Sequence, residues 1–113
     1  IYIAPPDYHL LLEADGTISL DVSEKVNYCR PSIDVTFISA ANAYKKGLTA
    51  ILLSGANADG AAGMIAIHEC EGKNIVQHPV ESQVSYMPEQ AIITGVVDEI
   101  LSVTEIATFI NHL

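Results

Sequence analysis

The chain has 113 residues, half of them hydrophobic, and a net charge of −9 with only five Lys and Arg. A chain of this length is expected to form one domain or a piece of one. Nucleic acid and anionic membrane are excluded as partners, because phosphate groups are bound by clustered Lys and Arg, which this sequence lacks. No apolar run approaches the roughly 20 residues of a membrane-spanning helix, so membrane insertion is not expected either.

The two cysteines, Cys29 and Cys70, fit neither a metal-ligand spacing nor a CxxC motif. We interpret both as reduced thiols, which predicts a cytoplasmic location. No pattern typical of a signal peptide opens the chain. It opens instead on the apolar, strand-like segment 1–4 without an initiator Met, and we therefore expect further sequence upstream.

The first elements in chain order are predicted to be extended. Segment 2–4 has the composition of a short strand, which two prolines end. Segments 9–13 and 17–22 flank Asp15-Gly16, a pair typical of β-hairpins whose type I′ turn needs positive φ at both central residues. The sequence therefore predicts an antiparallel hairpin with a type I′ turn.

A helix and a buried strand follow the hairpin. Pro31 opens a predicted helix over 32–46, because proline is preorganised for a first turn and apolar residues then recur at helical spacing. Gly47 ends this helix. Segment 49–54 is continuously apolar, as expected of a strand that is buried on both faces of a parallel sheet.

The rest of the chain alternates between helices and strands. The predicted elements are a loop at 55–60, a helix at 61–71, a strand at 73–77, a loop at 78–87, a helix from 88 to 93, a strand candidate at 96–97 and a helix at 102–113. Ser102 and Glu105 have the spacing of a capping box. This order predicts a doubly wound α/β fold: a mostly parallel sheet with helices on both faces and the antiparallel hairpin at one edge.

Segment 53–64 is the most informative stretch, because it lies where a predicted buried strand ends and a helix begins, the place where open α/β sheets bind ligands. Its carboxylate, Asp59, has three interpretations. Asp59 caps the N-terminus of helix 61–71, or it orients a catalytic histidine. Alternatively, Gly55, Gly60 and Gly63 form an anion-binding cradle, although their spacing matches neither a P-loop nor a dinucleotide fingerprint.

Four segments of the sequence carry a resemblance to a known family. They are Tyr2-Ile3-Ala4-Pro5 with Asp7 and His9; Arg30-Pro31-Ser32-Ile33-Asp34-Val35 with Phe37; Ser54-Gly55 through Asp59-Gly60-Ala61-Ala62-Gly63-Met64; and Met87-Pro88 with Ala91-Ile92. In order and spacing they resemble the chemotaxis protein-glutamate methylesterases of the CheB type. The resemblance covers nearly the whole chain and implies that Asp59 is the acid of a Ser-His-Asp triad.

The resemblance also implies a function. Members of this family hydrolyse glutamate methyl esters on the cytoplasmic domain of chemoreceptors, some deamidate receptor glutamines, and they use no metal or organic cofactor. The implied partners are the methylated receptor and components such as the chemotaxis kinase and response regulators. The alternatives are a non-catalytic adaptor with the same fold, or an α/β domain that binds anions through its glycine-rich loop.

The chain departs from the family pattern at two motifs. The nucleophile turn, similar to Gly-Ser-Thr-Gly-Gly, and the Gln-His-Met-like histidine segment do not occur. We therefore expect 1–113 to be the C-terminal portion of the catalytic domain, with nucleophile and base upstream, and to be inactive alone. Ala56-Asn57 stands where the family often has Met-Gly.

Other polar residues receive ordinary interpretations. Ser54 aligns with a strand-ending Thr or Ser of the family and is not its nucleophile. His78 follows Asp59 in the chain, the wrong order for the triad base, and is interpreted as a loop residue. His9 is expected at the surface or partly buried. Arg30 is expected to pair with a carboxylate near the site, to bind receptor acids, or to lie on the surface.

Overall fold

The computed structural model describes all 113 residues. The elements in chain order are β1 (His9–Leu12), β2 (Ile18–Asp21), α1 (Ile33–Tyr44), β3 (Thr49–Leu52), α2 (Ala61–Glu69), β4 (Lys73–Gln77), α3 (Tyr86–Ile93), β5 (Glu99–Leu101) and α4 (Val103–Asn111). Two 3-10 helices, Lys45–Gly47 and Pro79–Glu81, lie after α1 and before α3.

The three C-terminal strands form a parallel sheet in the order β3-β4-β5. In its register, Thr49 lies opposite Lys73 and Ile75 lies opposite Glu99. The central strand β4 is buried at four of its five positions, which explains its lack of polar alternation. The predicted α/β class is confirmed, and β3 is an edge strand with β4 as its single neighbour.

The predicted hairpin is confirmed, and β1 and β2 form a two-stranded antiparallel sheet of their own. Its turn is not type I′, because only Gly16 has positive φ, at 87°. Gly16 N donates to the carbonyl of Glu13 at 2.9 Å, which closes a three-residue loop with a left-handed glycine at its end. Asp15 does not have positive φ, and its side chain accepts a hydrogen bond from the backbone N–H of Thr17 at 3.0 Å.

Two predicted strands are wrong. Segment 2–4 pairs with no strand, and Tyr2 and Ile3 are 80% and 88% exposed. Segment 96–97 is irregular, and β5 begins only at Glu99. The carbonyl of Val96 accepts a hydrogen bond from the side-chain amide of Asn74 at 3.1 Å instead of from a neighbouring strand. A parallel strand needs free backbone groups toward its neighbour, which this side-chain contact removes.

The main apolar core lies between the sheet and helices α1 to α3. Its buried members are Ala41, Ala50, Leu52, Met64, Ile67, Val76, Met87 and Ala91. Helices α1 and α2 approach closely at Gly63, where a Cβ atom would lie 2.5 Å from the Cβ of Phe37. This contact brings the N-terminal ends of the two helices together. None of the helices combines the length and the apolar character that crossing a membrane requires.

Candidate active site

Asp59 lies at the end of the loop between β3 and α2 and is 2% exposed. Its backbone N–H donates to the side-chain oxygen of Asn57 at 2.9 Å, which forms a local turn. The next residue, Gly60, begins α2 with a φ of 108°, a conformation that glycine adopts without strain. Gly60 provides no side-chain cap for α2, so this helix depends on another residue for its first turn.

The Asp59 carboxylate is bound to helix α1 rather than to its own helix. Oδ2 accepts from Ile33 N at 2.6 Å, and Oδ1 accepts from Asp34 N at 3.1 Å and from the Ser32 hydroxyl at 2.7 Å. The interpretation of Asp59 as a cap for helix 61–71 is therefore wrong, because the carboxylate caps the preceding helix instead. Sequence spacing cannot reveal a cap that comes from another helix.

Asp34 makes the reciprocal contact with helix α2. Its Oδ1 accepts from Gly60 N and from Gly63 N, both at 2.8 Å. Asp34 lies in the first turn of α1 and is 6% exposed. A carboxylate at or just before the start of each helix therefore caps the other helix, an arrangement that we call the exchanged caps.

The exchanged caps contradict the prediction of an anion-binding cradle at Gly55, Gly60 and Gly63. The backbone N–H groups of Gly60 and Gly63 are taken by Asp34, and that of Gly55 donates to the carbonyl of Val84 at 3.0 Å. The cradle interpretation is wrong, because the amides that an external anion would need already have partners within the protein.

Asn27 joins the two carboxylates. Its side-chain amide donates to Asp34 Oδ2 at 2.7 Å and to Asp59 Oδ1 at 3.0 Å. Asn27 has a φ of 54° and lies in the tight turn from Val26 to Cys29, which two backbone hydrogen bonds of 3.0 and 2.9 Å close. One amide group thus uses both of its N–H bonds on the two buried acids.

Neither of these acids is paired with a cation. The salt bridge of the structure joins Lys73 to Glu99, and Arg30 donates to the carbonyls of Val22 and Ser23 at 3.3 and 3.2 Å. Buried carboxylates must be compensated by hydrogen-bond donors when no cation is present. Here the compensation comes from the N-termini of α1 and α2, whose N–H groups and dipoles favour negative charge, and from the Asn27 amide.

Ser32 and His9 form a second layer around Asp59. Ser32 is the N-cap of α1 and is 1% exposed. Its backbone N–H donates to Nδ1 of His9 at 3.1 Å, and His9 Nε2 lies 2.8 Å from the carbonyl of Glu24. This pattern fits a neutral imidazole with its proton on Nε2. The expectation of a surface or partly buried His9 is wrong, because the side chain is fully buried with both nitrogens paired.

The other singled-out residues lie in structural roles. His78 is an exposed loop residue, as predicted, whose Nδ1 accepts from Val80 N at 3.2 Å. The Ser54 hydroxyl is bound to the backbone of Val84 at 2.9 and 3.1 Å. The expected pairing of Arg30 with a carboxylate is wrong, because its guanidinium binds the two carbonyls described above and orders the loop after β2.

The chemical capacity of the site is concentrated in Asp59 Oδ2. A carboxylate oxygen has two lone pairs, and Oδ2 accepts one hydrogen bond, from Ile33 N. The fixed carboxylate therefore retains an acceptor position for one further N–H donor. No group of three or more His, Cys, Asp or Glu side chains lies together in a way that could hold a metal ion.

Sequence reasoning assigned no site role to Asn27, Ser32 or Asp34. A signal was present for two of them, because Ser32 precedes a predicted helix and Asp34 lies in its first turn, both typical of capping residues. Their contact with Asp59 depends on the packing of α1 against α2, which no local pattern describes.

Comparison with known proteins places this geometry in a family. The family model described as CheB methylesterase matches residues 1–110. A putative protein-glutamate methylesterase/protein-glutamine glutaminase of Leptospira interrogans is 46% identical over 113 residues, which are all of this chain and 58% of the relative. The corresponding enzyme of Nitrosomonas europaea is 39% identical over 94% of this chain and 30% of its own length.

A solved structure agrees with these relatives. The crystal structure of the Thermotoga maritima CheB methylesterase catalytic domain has a TM-score of 0.86 and 36% identity, and the match covers 89% of this chain and 55% of that one. The present chain thus spans at most 58% of the length of these relatives. On the family match and the shared fold, the chain belongs to the CheB methylesterase family.

Proposed function

We propose that the protein containing this chain hydrolyses glutamate methyl esters on the cytoplasmic domain of chemoreceptors, releasing methanol, with Asp59 as the acid of a Ser-His-Asp triad. The names of the relatives, which include protein-glutamine glutaminase, support a second activity, the deamidation of receptor glutamines. A receptor substrate of this kind assigns the protein to the cytoplasm, with the kinase and response regulators of the same pathway as further partners.

The observation that carries this proposal is the state of the Asp59 carboxylate. It is buried, four donors hold it, and one acceptor position on Oδ2 is open. The acid of a triad accepts the Nδ1–H of a histidine and so fixes the tautomer in which Nε2 takes the proton of the nucleophile. A carboxylate that cannot rotate is suited to this task, because it defines one direction for the imidazole.

We further propose that residues 1–113 form the C-terminal portion of the catalytic domain and that nucleophile and base lie upstream of it. The partial coverage of the relatives supports this assignment. The free edge of β3 offers unpaired backbone groups on which an additional strand fits. With the acid alone, the chain by itself has no group to attack the ester.

The test is methanol release from methylated receptor by the full-length protein. We expect release that depends on Asp59, and none from the 113-residue chain alone. A folded full-length protein that binds receptor without releasing methanol would contradict the proposal and indicate an adaptor. The glutaminase activity is measured separately, as ammonia release from receptor that carries glutamine at the same sites.

A further inference from the structure

We infer that Asn27 and Asp34 are positioning residues for Asp59, which they hold in the one orientation that its role in the triad requires. The inference rests on the proposed function, since it assigns to two further side chains a part in the same reaction. The side-chain N–H groups of Asn27 and both carboxylate oxygens of Asp34 are bound to Asp59 or to the groups around it.

The first step concerns the Asn27 amide, which the turn around it does not need. The turn is closed by the backbone hydrogen bonds between Val26 and Cys29, and positive φ is accepted by glycine or aspartate as well as by asparagine. The residue is exposed, yet both of its amide N–H bonds reach into the protein to buried carboxylates. An exposed side chain normally leaves its polar atoms in water. We therefore interpret the contacts of Asn27 as serving to position the carboxylates of Asp34 and Asp59.

The second step concerns the direction of Asp59. Three donors converge on Oδ1 and one on Oδ2. The donors on Oδ1 fix the rotation of the carboxylate, and this rotation determines where the open position of Oδ2 points. Without the Asn27 donor, the carboxylate is held by the N-terminus of α1 alone, and we expect it to gain freedom to turn.

The third step concerns Asp34, which acts on Asp59 through two routes. Its Oδ1 holds the N–H of Gly60, the residue next to Asp59, and so fixes the backbone that carries the acid. Its Oδ2 holds the Asn27 amide in place at 2.7 Å. Both residues are therefore positioning groups that work through Asp59 rather than on the substrate.

The test compares kcat and KM of the full-length enzyme on methylated receptor. Asn27→Gly keeps the positive φ and removes the amide, and we expect kcat to fall about ten-fold, because a hydrogen bond to a charged group is lost. KM should stay within about two-fold, because a positioning group does not bind the substrate. Asn27→Asp should lower kcat further, since a third carboxylate then faces Asp34 and Asp59.

The matched control is Tyr28→Gly, at the neighbouring position of the same turn. Tyr28 has a φ of 63° and a side chain that is 98% exposed. This control carries the same backbone change without the amide, and we expect its kcat to be that of the unmodified enzyme. Equal kcat values for Asn27→Gly and Tyr28→Gly would overturn the positioning role of Asn27.

A double variant tests Asp34 without removing its cap. Asp34→Asn keeps an oxygen for Gly60 and Gly63 but turns its NH₂ group toward that of Asn27, so kcat should fall. Combining it with Asn27→Asp restores a donor–acceptor pair of reversed polarity, and kcat should rise above that of Asn27→Asp alone. The absence of this rescue would overturn the role of Asp34, because independent residues give additive effects.

Amide hydrogen exchange separates this inference from the proposed function. The backbone N–H groups of Ile33 and Asp34 are bound to Asp59, so they should exchange faster in Asn27→Gly than in Tyr28→Gly. If the unmodified protein released no methanol, the proposed function would fail, and this exchange difference would still decide whether Asn27 holds Asp59. Unchanged exchange in Asn27→Gly would overturn the inference whatever the activity.

Discussion

The N-terminus of α4 and the N-termini of α1 and α2 solve the same problem in two ways. Ser102 and Glu105 cap α4 locally: Ser102 Oγ accepts from Glu105 N at 3.1 Å, and Glu105 Oε1 accepts from Ser102 N at 3.0 Å. Helices α1 and α2 instead have exchanged caps, in which Asp59 and Asp34 each bind the first turn of the other helix.

The difference lies in what each cap makes available. The capping box is exposed and stabilises one helix from within four consecutive residues. The exchanged caps are buried, tie two helices together, and fix the carboxylate to which we assign the acid role in the proposed triad. Under that proposal, a cap that comes from another helix serves both structure and chemistry.

The largest expected effect comes from Asp59→Asn in the full-length enzyme. Turnover should fall by about 10⁴-fold, because an amide favours the wrong histidine tautomer. Methanol release at saturating receptor measures this loss. Turnover within ten-fold of the unmodified enzyme would return Asp59 to a purely structural cap.

The same variant sharpens the comparison through stability. If the amide oxygen replaces Oδ1, the NH₂ group faces Ile33 N–H, and two donors then oppose each other. We expect a loss of about 1–3 kcal/mol in the free energy of unfolding, the range for a buried donor without a partner. Urea denaturation measures this loss, and circular dichroism tests whether the variant is folded under the assay conditions.

The largest expected effect on stability comes from Asp34→Ala. The substitution leaves the N–H groups of Gly60 and Gly63 and one N–H bond of the Asn27 amide without their acceptor. We expect the free energy of unfolding to fall by about 2–4 kcal/mol, because buried donors without partners are costly. Urea denaturation measures the change. A loss below about 1 kcal/mol would show that the exchanged caps stabilise no more than a local cap does.

The matched change at the local cap is Ser102→Ala. It removes the hydroxyl that accepts from Glu105 N, and we expect a loss of about 1 kcal/mol, typical of a helix cap. The same denaturation measurement applies. Turnover of the full-length enzyme should stay unchanged, because α4 contributes no residue to the site. A fall in turnover comparable to that of Asp34→Asn would break the comparison between the two kinds of cap.

The smallest effect is the pH dependence of the capping box. Hydrogen bonds from Ser102, first its backbone N–H and then its hydroxyl, hold the pKa of Glu105 below its ordinary value. The carboxylate therefore contributes stability above its unfolded pKa, and this contribution is lost as the pH falls through the folded pKa. The difference in Tm between the unmodified protein and Glu105→Gln should narrow between about pH 5 and pH 3. A constant difference would contradict this assignment.

The sequence could predict those features whose partners lie close together in the chain. The capping box was predicted from residues three positions apart and is confirmed. Parallel strands were predicted over 49–54 and 73–77 from their continuous apolar character, which burial inside a sheet requires, and the structure has them over 49–52 and 73–77. The hairpin was also predicted and is confirmed, but its predicted type I′ turn is wrong, because an Asp-Gly pair fits more than one hairpin loop.

The contacts of the site could not be predicted in the same way. Asp59 and Asp34 lie 25 residues apart, and their contact requires α1 and α2 to cross at Gly63. His9 was wrongly expected near the surface, because the two backbone groups that satisfy its ring come from Glu24 and Ser32. In both cases the decisive partner comes from a distant part of the chain.

Gly60 precedes α2 and provides no side-chain cap for it. This affects how α2 and the Asp59 carboxylate reach their native arrangement during folding. Helix α2 has nine residues, too few for stability in isolation, where helices shorter than about 12–15 residues are marginal. Its first turn gains its acceptors only when α1 arrives, and the same encounter seats Asp59 on α1. We therefore expect the helix and the oriented carboxylate to form in one cooperative event, so that a partly folded chain presents neither.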